Sequence, residues 1–169
     1  KAVVPALVSV KHTPVIAVAS RDLTRAQEFA ALFEIPRAYG TYDELLADSN
    51  VQAVYIPLPN SEHAPWAIKA MQAGKHVLVE KPFALNSDDA HMMVSTALEN
   101  NVVLMEGFMY RYSERFEKIY EIVRAGTIGK VRLVQSGFSF PLSNPDDIRL
   151  SSDLGGGALY DLGCYCVNL

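Results

Sequence analysis

AVYIPLPNSEHAPWAIKAMQAGKHVLVEKP, residues 53–82, is the stretch on which the fold turns. AVYI (53–56) and HVLV (76–79) are short apolar runs rich in β-branched residues, so both are predicted as strands. Between them Asn60 stands where a helix N-cap is favoured, and apolar residues recur three and four apart through Ala73 before Gly74 closes the helix. Strands that are apolar throughout, joined by a helix, belong to parallel sheets covered on both faces. The fold class is α/β.

The alternation extends in both directions. VIAVA (15–19) predicts a strand, DLTRAQEFAALF (22–33) a helix, Asp43 to Ala47 a helical turn, Asn86 the start of another helix, and VVLM (102–105) a further strand. After Met105 the character changes. EGFMYRYSERFEKIYEIVRAG (106–126) is aromatic-rich with a helical second half, and KVRLVQSGFSF (130–140) alternates as a half-buried strand does. PLSNPDDIRLSS (141–152) is dense in turn formers, and GGG (155–157) leads into a last helix. Two domains are expected, 1–107 and 108–169.

Composition narrows the function. The 169 residues, 50% hydrophobic and 20% charged, suffice for an ordinary core. A net charge of -4 disfavours nucleic acid and membrane surfaces as partners. The apolar runs fall short of the roughly 20 residues a membrane helix needs. Cys164 and Cys166, two apart in a predicted helix, face different ways and are badly placed for a disulfide, so a cytoplasmic setting is expected. Lys1 runs straight into AVVPAL, and the chain stops at CYCVNL without a helix stop signal. Both ends read as internal points of a longer polypeptide.

In open parallel sheets ligands bind outside the carboxyl ends of the strands, so the residues after each strand carry the functional information. They are Ser20-Arg21-Asp22, Pro57-Leu58-Pro59-Asn60, Glu80-Lys81-Pro82 and Glu106-Gly107-Phe108. Lys81, held at the end of a buried strand, suits a proton donor or a cationic orienter, against the alternative of a solvated loop lysine. Asp161 and Tyr165, four apart on the last helix, face one point and can form an acid/base relay for a substrate hydroxyl; the alternative is a surface Asp beside a packed Tyr. His63 either faces the same crevice or packs the helix end. Asp88 and Asp89 sit in a first helical turn, where they favour the helix dipole. The four histidines (12, 63, 76, 91) show no metal-ligand spacing, so no metal is expected. Gly-x-Ser-x-Gly and P-loop motifs are absent, and a Gly-x-Gly-x-x-Gly loop is expected upstream of Lys1, since Ala2 to Val10 reads as the helix it would open.

The pieces SRDLTRAQEFA (20–30), PNSEHAPWAIKAMQAGKHVLVEKPFALN (59–86), EGFMYRY (106–112) and LGGGALYDLGCYCVNL (154–169) together resemble the Gfo/Idh/MocA oxidoreductases. The likeness is greatest to the branch holding glucose-fructose oxidoreductase, dimeric dihydrodiol dehydrogenases and NADP-dependent D-xylose dehydrogenases. It implies a Rossmann-type domain lacking its first strand, then the start of a substrate and dimerisation domain with a largely antiparallel sheet. By this resemblance Tyr165 is the general acid/base, Lys81 lowers its pKa and orients substrate and nicotinamide, and Asp161 positions a sugar hydroxyl. Tyr165 stands where many members carry His. Arg149 resembles an arginine that touches the cofactor from the second domain, and Pro57, Leu58, Asn60, His63 and Glu80 fall on the cofactor wall.

Cofactor choice has a physical basis. NAD-preferring folds place an acid after the second strand to accept from the ribose 2′-hydroxyl, but Ser20-Arg21 stands there. A hydroxyl and a guanidinium, with Arg25 one turn on, favour the 2′-phosphate of NADP, with NAD as a possible second cofactor. The alternative is that Arg21 and Arg25 form a solvated face with Asp22 and Glu28. The expected function is hydride transfer between NADP and a sugar, polyol or cyclic diol carbon, in a homodimer. Two rivals are a non-catalytic nucleotide-sensing or scaffold member and a purely structural α/β domain.

Overall fold

The computed structural model describes residues 3–10 and 13–169. Five short strands, β1 (Ala17–Ala19), β2 (Arg37–Tyr39), β3 (Ala53–Ile56), β4 (His76–Val79) and β5 (Leu104–Glu106), alternate with helices. The helices are α1 (Val3–Ser9), α2 (Leu23–Leu32), α3 (Tyr42–Ala47), α4 (His63–Gln72), α5 (Ser87–Glu99), α6 (Glu114–Arg124) and α7 (Cys164–Asn168). Among the described residues all three strand pairings are parallel, β1 with β2, β3 with β4 and β4 with β5, and they form a two-stranded and a three-stranded sheet. The α/β reading and its parallel sheet therefore hold. Ala2 and His12 lie outside the described residues, and Val3–Ser9 of the expected first helix is present.

Local chemistry sets the helix starts. Asp22 caps α2 by accepting from Thr24 N and Arg25 N, and Asn86 caps α5 by accepting from Asp89 N at 2.8 Å. Thr41 and Glu44 form a reciprocal capping box at α3. Asn60 is different. A single 3₁₀ turn, Asn60–Glu62, precedes α4, and the Asn60 side chain caps nothing, donating instead to Gly155 O at 2.8 Å. Gly74, at φ +73°, ends α4 in the left-handed conformation the sequence predicts.

Three further differences have clear causes. β2 carries no apolar run, only Arg-Ala-Tyr between Pro36 and Gly40, so sequence periodicity does not find it. It is held by Asp48, whose carboxylate accepts from Arg37 and from the Tyr39 hydroxyl. β5 begins at Leu104, two residues later than expected, because Val102 N bonds back to Ala97 O and closes the end of α5. Residues 130–140 form no strand and no antiparallel pair, since a strand needs a neighbouring ladder and none is present among the described residues.

The core lies where α4 and α5 cover β3 and β4. Ile56, Ala67, Ala70, Met71, Val77, Val79 and Met93 are buried together there. No helix among the described residues is long and apolar enough to cross a membrane. Met71 is wholly buried whereas Leu98 on α5 is 77% exposed. Met71→Ala is expected to lower unfolding free energy by about 2–5 kcal/mol and Leu98→Ala by less than about 0.5 kcal/mol, as read by urea denaturation.

Candidate active site

The carboxyl ends of β3 and β4 form one wall of a crevice of about 230 Å³. Pro57, Leu58 and Asn60 line it after β3, Glu80 and Lys81 after β4, and Arg149, Gly156 and Asp161 close it from the distant end of the chain. Ladder pairing ends at Glu80 N, which bonds to Ile56 O, so the segments beyond are free of the sheet.

The distant wall is held at several points. Asn60 bonds to Gly155 O, and the Tyr160 hydroxyl donates to Leu85 O at 2.8 Å. Gly155 has φ +74°, and a Cβ there would lie 2.7 Å from Leu85 and 2.9 Å from Asn60. At Gly156 a Cβ would meet Arg149 O at 2.5 Å and Ser151 O at 2.7 Å. The glycine run permits this close approach, which larger residues block.

Across the crevice the Lys81 ammonium donates to Asp161 twice, to its carboxylate at 2.8 Å and its main-chain carbonyl at 2.6 Å. Both side chains are largely buried, 15% and 16% exposed. Arg149 Nε donates to the other Asp161 oxygen at 2.9 Å, and its Nη1 faces Asp147 at 3.3 Å. Burial alone would push the Asp161 pKa up, but Lys81 and Arg149 outweigh it and hold the carboxyl below its usual range. Glu80 is pinned as well, since Tyr55 donates to its Oε1 at 2.7 Å and Lys81 N to its Oε2. Burial, with the Glu80 carboxylate, pushes the Tyr55 phenol well above its ordinary value.

Tyr165 lies beside this array. The Lys81 ammonium sits 5.1 Å from its ring centroid, within cation–π range. Phe108 and Phe138 pack edge-on against the same ring at 5.4 and 5.8 Å, and Tyr110 stands at 6.0 Å. Leu159–Gly163 is a π-helical turn that leads into α7, and Asp161 and Tyr165, four residues apart across it, both meet the Lys81 ammonium. The resemblance implied a phenol pKa lowered by Lys81. Burial, with the charges of Glu80, Cys164 and Asp161 adding, pushes the phenol above its ordinary value, and the Lys81 ammonium is met by the Asp161 carboxylate.

Not every expected residue joins the crevice. Ser20, Arg21 and Arg25 stand apart at the exit of β1; both arginines are exposed, and neither makes an ion pair among the described residues. The Asp22 carboxylate turns to its cap bonds rather than to their guanidiniums. His63, by contrast, lines the crevice but offers it no free nitrogen: it is 0% exposed, with Nδ1 2.8 Å from Pro82 O and Nε2 2.9 Å from Leu58 O. Cys164 and Cys166 are free thiols, and among the described residues no three His, Cys, Asp or Glu side chains cluster as a metal site would require. Sequence reading placed Phe108 at a strand exit but missed Tyr55 and Phe138 as neighbours of the site. The aromatic density of EGFMYRY was the available signal for Phe108; Tyr55 looks like an ordinary strand residue.

The family model described as "Oxidoreductase family, NAD-binding Rossmann fold" matches residues 2–108, and the Gfo/Idh/MocA C-terminal domain model matches 116–169. The chain belongs to the Gfo/Idh/MocA oxidoreductase family. Among members of this family it is 45% identical to D-xylose 1-dehydrogenase (NADP(+)) 2 of Haloferax volcanii, over 99% of this chain and 51% of that protein. It is 42% identical to mouse trans-1,2-dihydrobenzene-1,2-diol dehydrogenase, over 98% and 49%. The 3-ketoreductase KijD10 of Actinomadura kijaniata, solved with NADP and TDP-benzene, superposes with a TM-score of 0.90 at 38% identity, covering 96% of this chain and 50% of that one. The chain thus spans about half the length of the curated relatives it matches.

Asp161 supplies a pH test. A carboxyl depressed in the folded state stabilises it above the unfolded pKa near 4, and that stabilisation is lost as pH falls through the folded value. Asp161→Asn is expected to destabilise the protein by about 1.5–3 kcal/mol at pH 7, the range for hydrogen bonds to charged groups. The gap to the natural protein should shrink below pH about 4 in denaturation curves taken across the acid range.

Proposed function

We propose that the whole protein is an NADP-dependent oxidoreductase that moves hydride between nicotinamide and a sugar, polyol or cyclic diol carbon. The observation that carries this is the meeting, at the crevice, of Lys81 with Asp161, 80 residues away, with the Tyr165 ring beside the Lys81 ammonium. The names of the xylose and dihydrodiol dehydrogenases and of the NADP-bound 3-ketoreductase support the same substrate and cofactor classes.

The donor set fits the cofactor. At the β1 exit, the Ser20 hydroxyl and the exposed guanidiniums of Arg21 and Arg25 suit a 2′-phosphate, and the adjacent acid, Asp22, is engaged in a helix cap. Pro57, Leu58 and Asn60 offer a wall with one polar group, and Glu80 and Lys81 lie at its end. When bound, the dinucleotide supplies the hydride chemistry.

The chain's own residues supply alignment and the proton. Lys81 spends two of its three N–H donors on Asp161, which leaves one for a substrate oxygen. Asp161, paired on both oxygens, is an anchor for Lys81 and Arg149 with lone pairs left to accept from a substrate hydroxyl. Tyr165, its phenol raised by burial, keeps its proton at neutral pH and in this reading donates it to a carbonyl oxygen. Arg149 acts first on Asp161 and Asp147. We place the domain boundary after Gly107, with 108–169 opening a substrate domain that also carries the homodimer contact.

NADPH fluorescence on adding the full-length protein, followed by rates with D-xylose and trans-dihydrodiols, tests the reading. Binding without turnover supports the sensor alternative, and no binding leaves the structural one. Lys81→Ala should lower kcat by about 10²–10⁴, the usual worth of a placed acid/base group, with NADPH affinity changed far less. Arg21→Ala should weaken NADPH about 10-fold or more while leaving NADH nearly unchanged, as loss of a charge-assisted phosphate bond predicts.

A further inference from the structure

His63 lines the crevice wall, and its ring is shut away from solvent between two loops. Nε2 lies 2.9 Å from Leu58 O, just after β3, and Nδ1 lies 2.8 Å from Pro82 O, just after β4. The parallel ladder stops here, because in the β3–β4 register the donor due to meet Leu58 O is residue 82, a proline with no N–H. The imidazole occupies the place of the next ladder bond and spans both exits with one rigid ring.

The ring is also fixed from its own side. His63 is the first residue of α4, and its neighbours Ala64 and Ala67 are buried in the core against β3 and β4. An anchored Pro82 carbonyl constrains the residue before it. That residue is Lys81, whose ammonium must reach Asp161 at 2.8 Å and lie over the Tyr165 ring.

We propose that His63 is a positioning residue: it ties the β3 and β4 exits together and thereby sets the direction of Lys81, without touching cofactor or substrate. The importance of Lys81 rests on the function proposed above, whereas the tie itself does not. A buried histidine that only fills space would stabilise the whole core evenly, so the test must separate a local effect at Lys81 from general loosening.

Reductive methylation of lysines in the full-length protein without cofactor, read peptide by peptide in a mass spectrometer, makes that separation. Lys118 is an exposed reference at 71%, and Lys75, buried and donating to Asp48 O, reports the integrity of the core away from the crevice. His63→Phe keeps a ring but has no N–H. It should raise Lys81 labelling about tenfold, as loss of a hydrogen-bonded restraint predicts, while Lys75 stays within about twofold. His63→Gln, which retains a donor, should show a smaller rise. If His63→Phe does not fold, His63→Asn, too short to span both carbonyls, is expected to act in the same direction.

Unchanged Lys81 labelling, or equal rises at Lys81 and Lys75, overturns the proposal. Asp161→Asn serves as the control for the site itself. If it exposes Lys81 while the His63 variants do not, the tie is wrong and the ion pair stands; if the His63 variants expose Lys81 and no variant alters turnover, the tie stands and the catalytic reading falls. In an active enzyme the His63 variants should lower kcat with little change in the KM for NADPH.

Discussion

The ion pair between Lys81 and Asp161 is the contact on which the rest of the site depends. Each partner is largely out of water, and a charge in that position is costly unless it is met at close range. The segment carrying Asp161 is therefore held against the end of β4, and the space left between them is the crevice. Arg149 covers the second Asp161 oxygen and ties in Asp147, so one carboxylate organises cations from two distant parts of the chain.

Backbone chemistry makes that meeting possible. Pro82 removes the donor that the β3–β4 register would bring to Leu58 O, which ends the ladder and frees the loops to line a cavity. Gly155 and Gly156 do the reverse on the other wall, where the absence of Cβ atoms lets main chain pack directly on Asn60, Leu85 and the carbonyl of Arg149. Rigid loops on one side and close contact on the other give a narrow site with few adjustable parts.

Tyr165 shows how environment outranks proximity. A nearby ammonium by itself favours the phenolate, but the Lys81 charge is met by Asp161, while Phe108 and Phe138 help to exclude water from the ring. The result is a phenol biased toward its protonated form, and this direction of bias suits proton donation to a carbonyl.

Much of the architecture was legible in order. The apolar runs at 53–56 and 76–79, the capping residues Asp22 and Asn86 and the stop at Gly74 are local signals, set by side-chain periodicity and backbone conformation over a few residues. Strand exits located Lys81, Glu80 and Pro57 for the same reason, and likeness of motif singled out Asp161 and Tyr165. What local pattern does not encode is partnership. β2 pairs with β1 while Asp48 gathers its Arg37 and Tyr39 side chains, Asn60 spends its amide on Gly155 rather than on a cap, and His63 turns inward to two carbonyls. Those outcomes, like the raised pKa of Tyr165, are set by groups distant in the chain competing for the same donors and acceptors, and only the tertiary structure decides that competition.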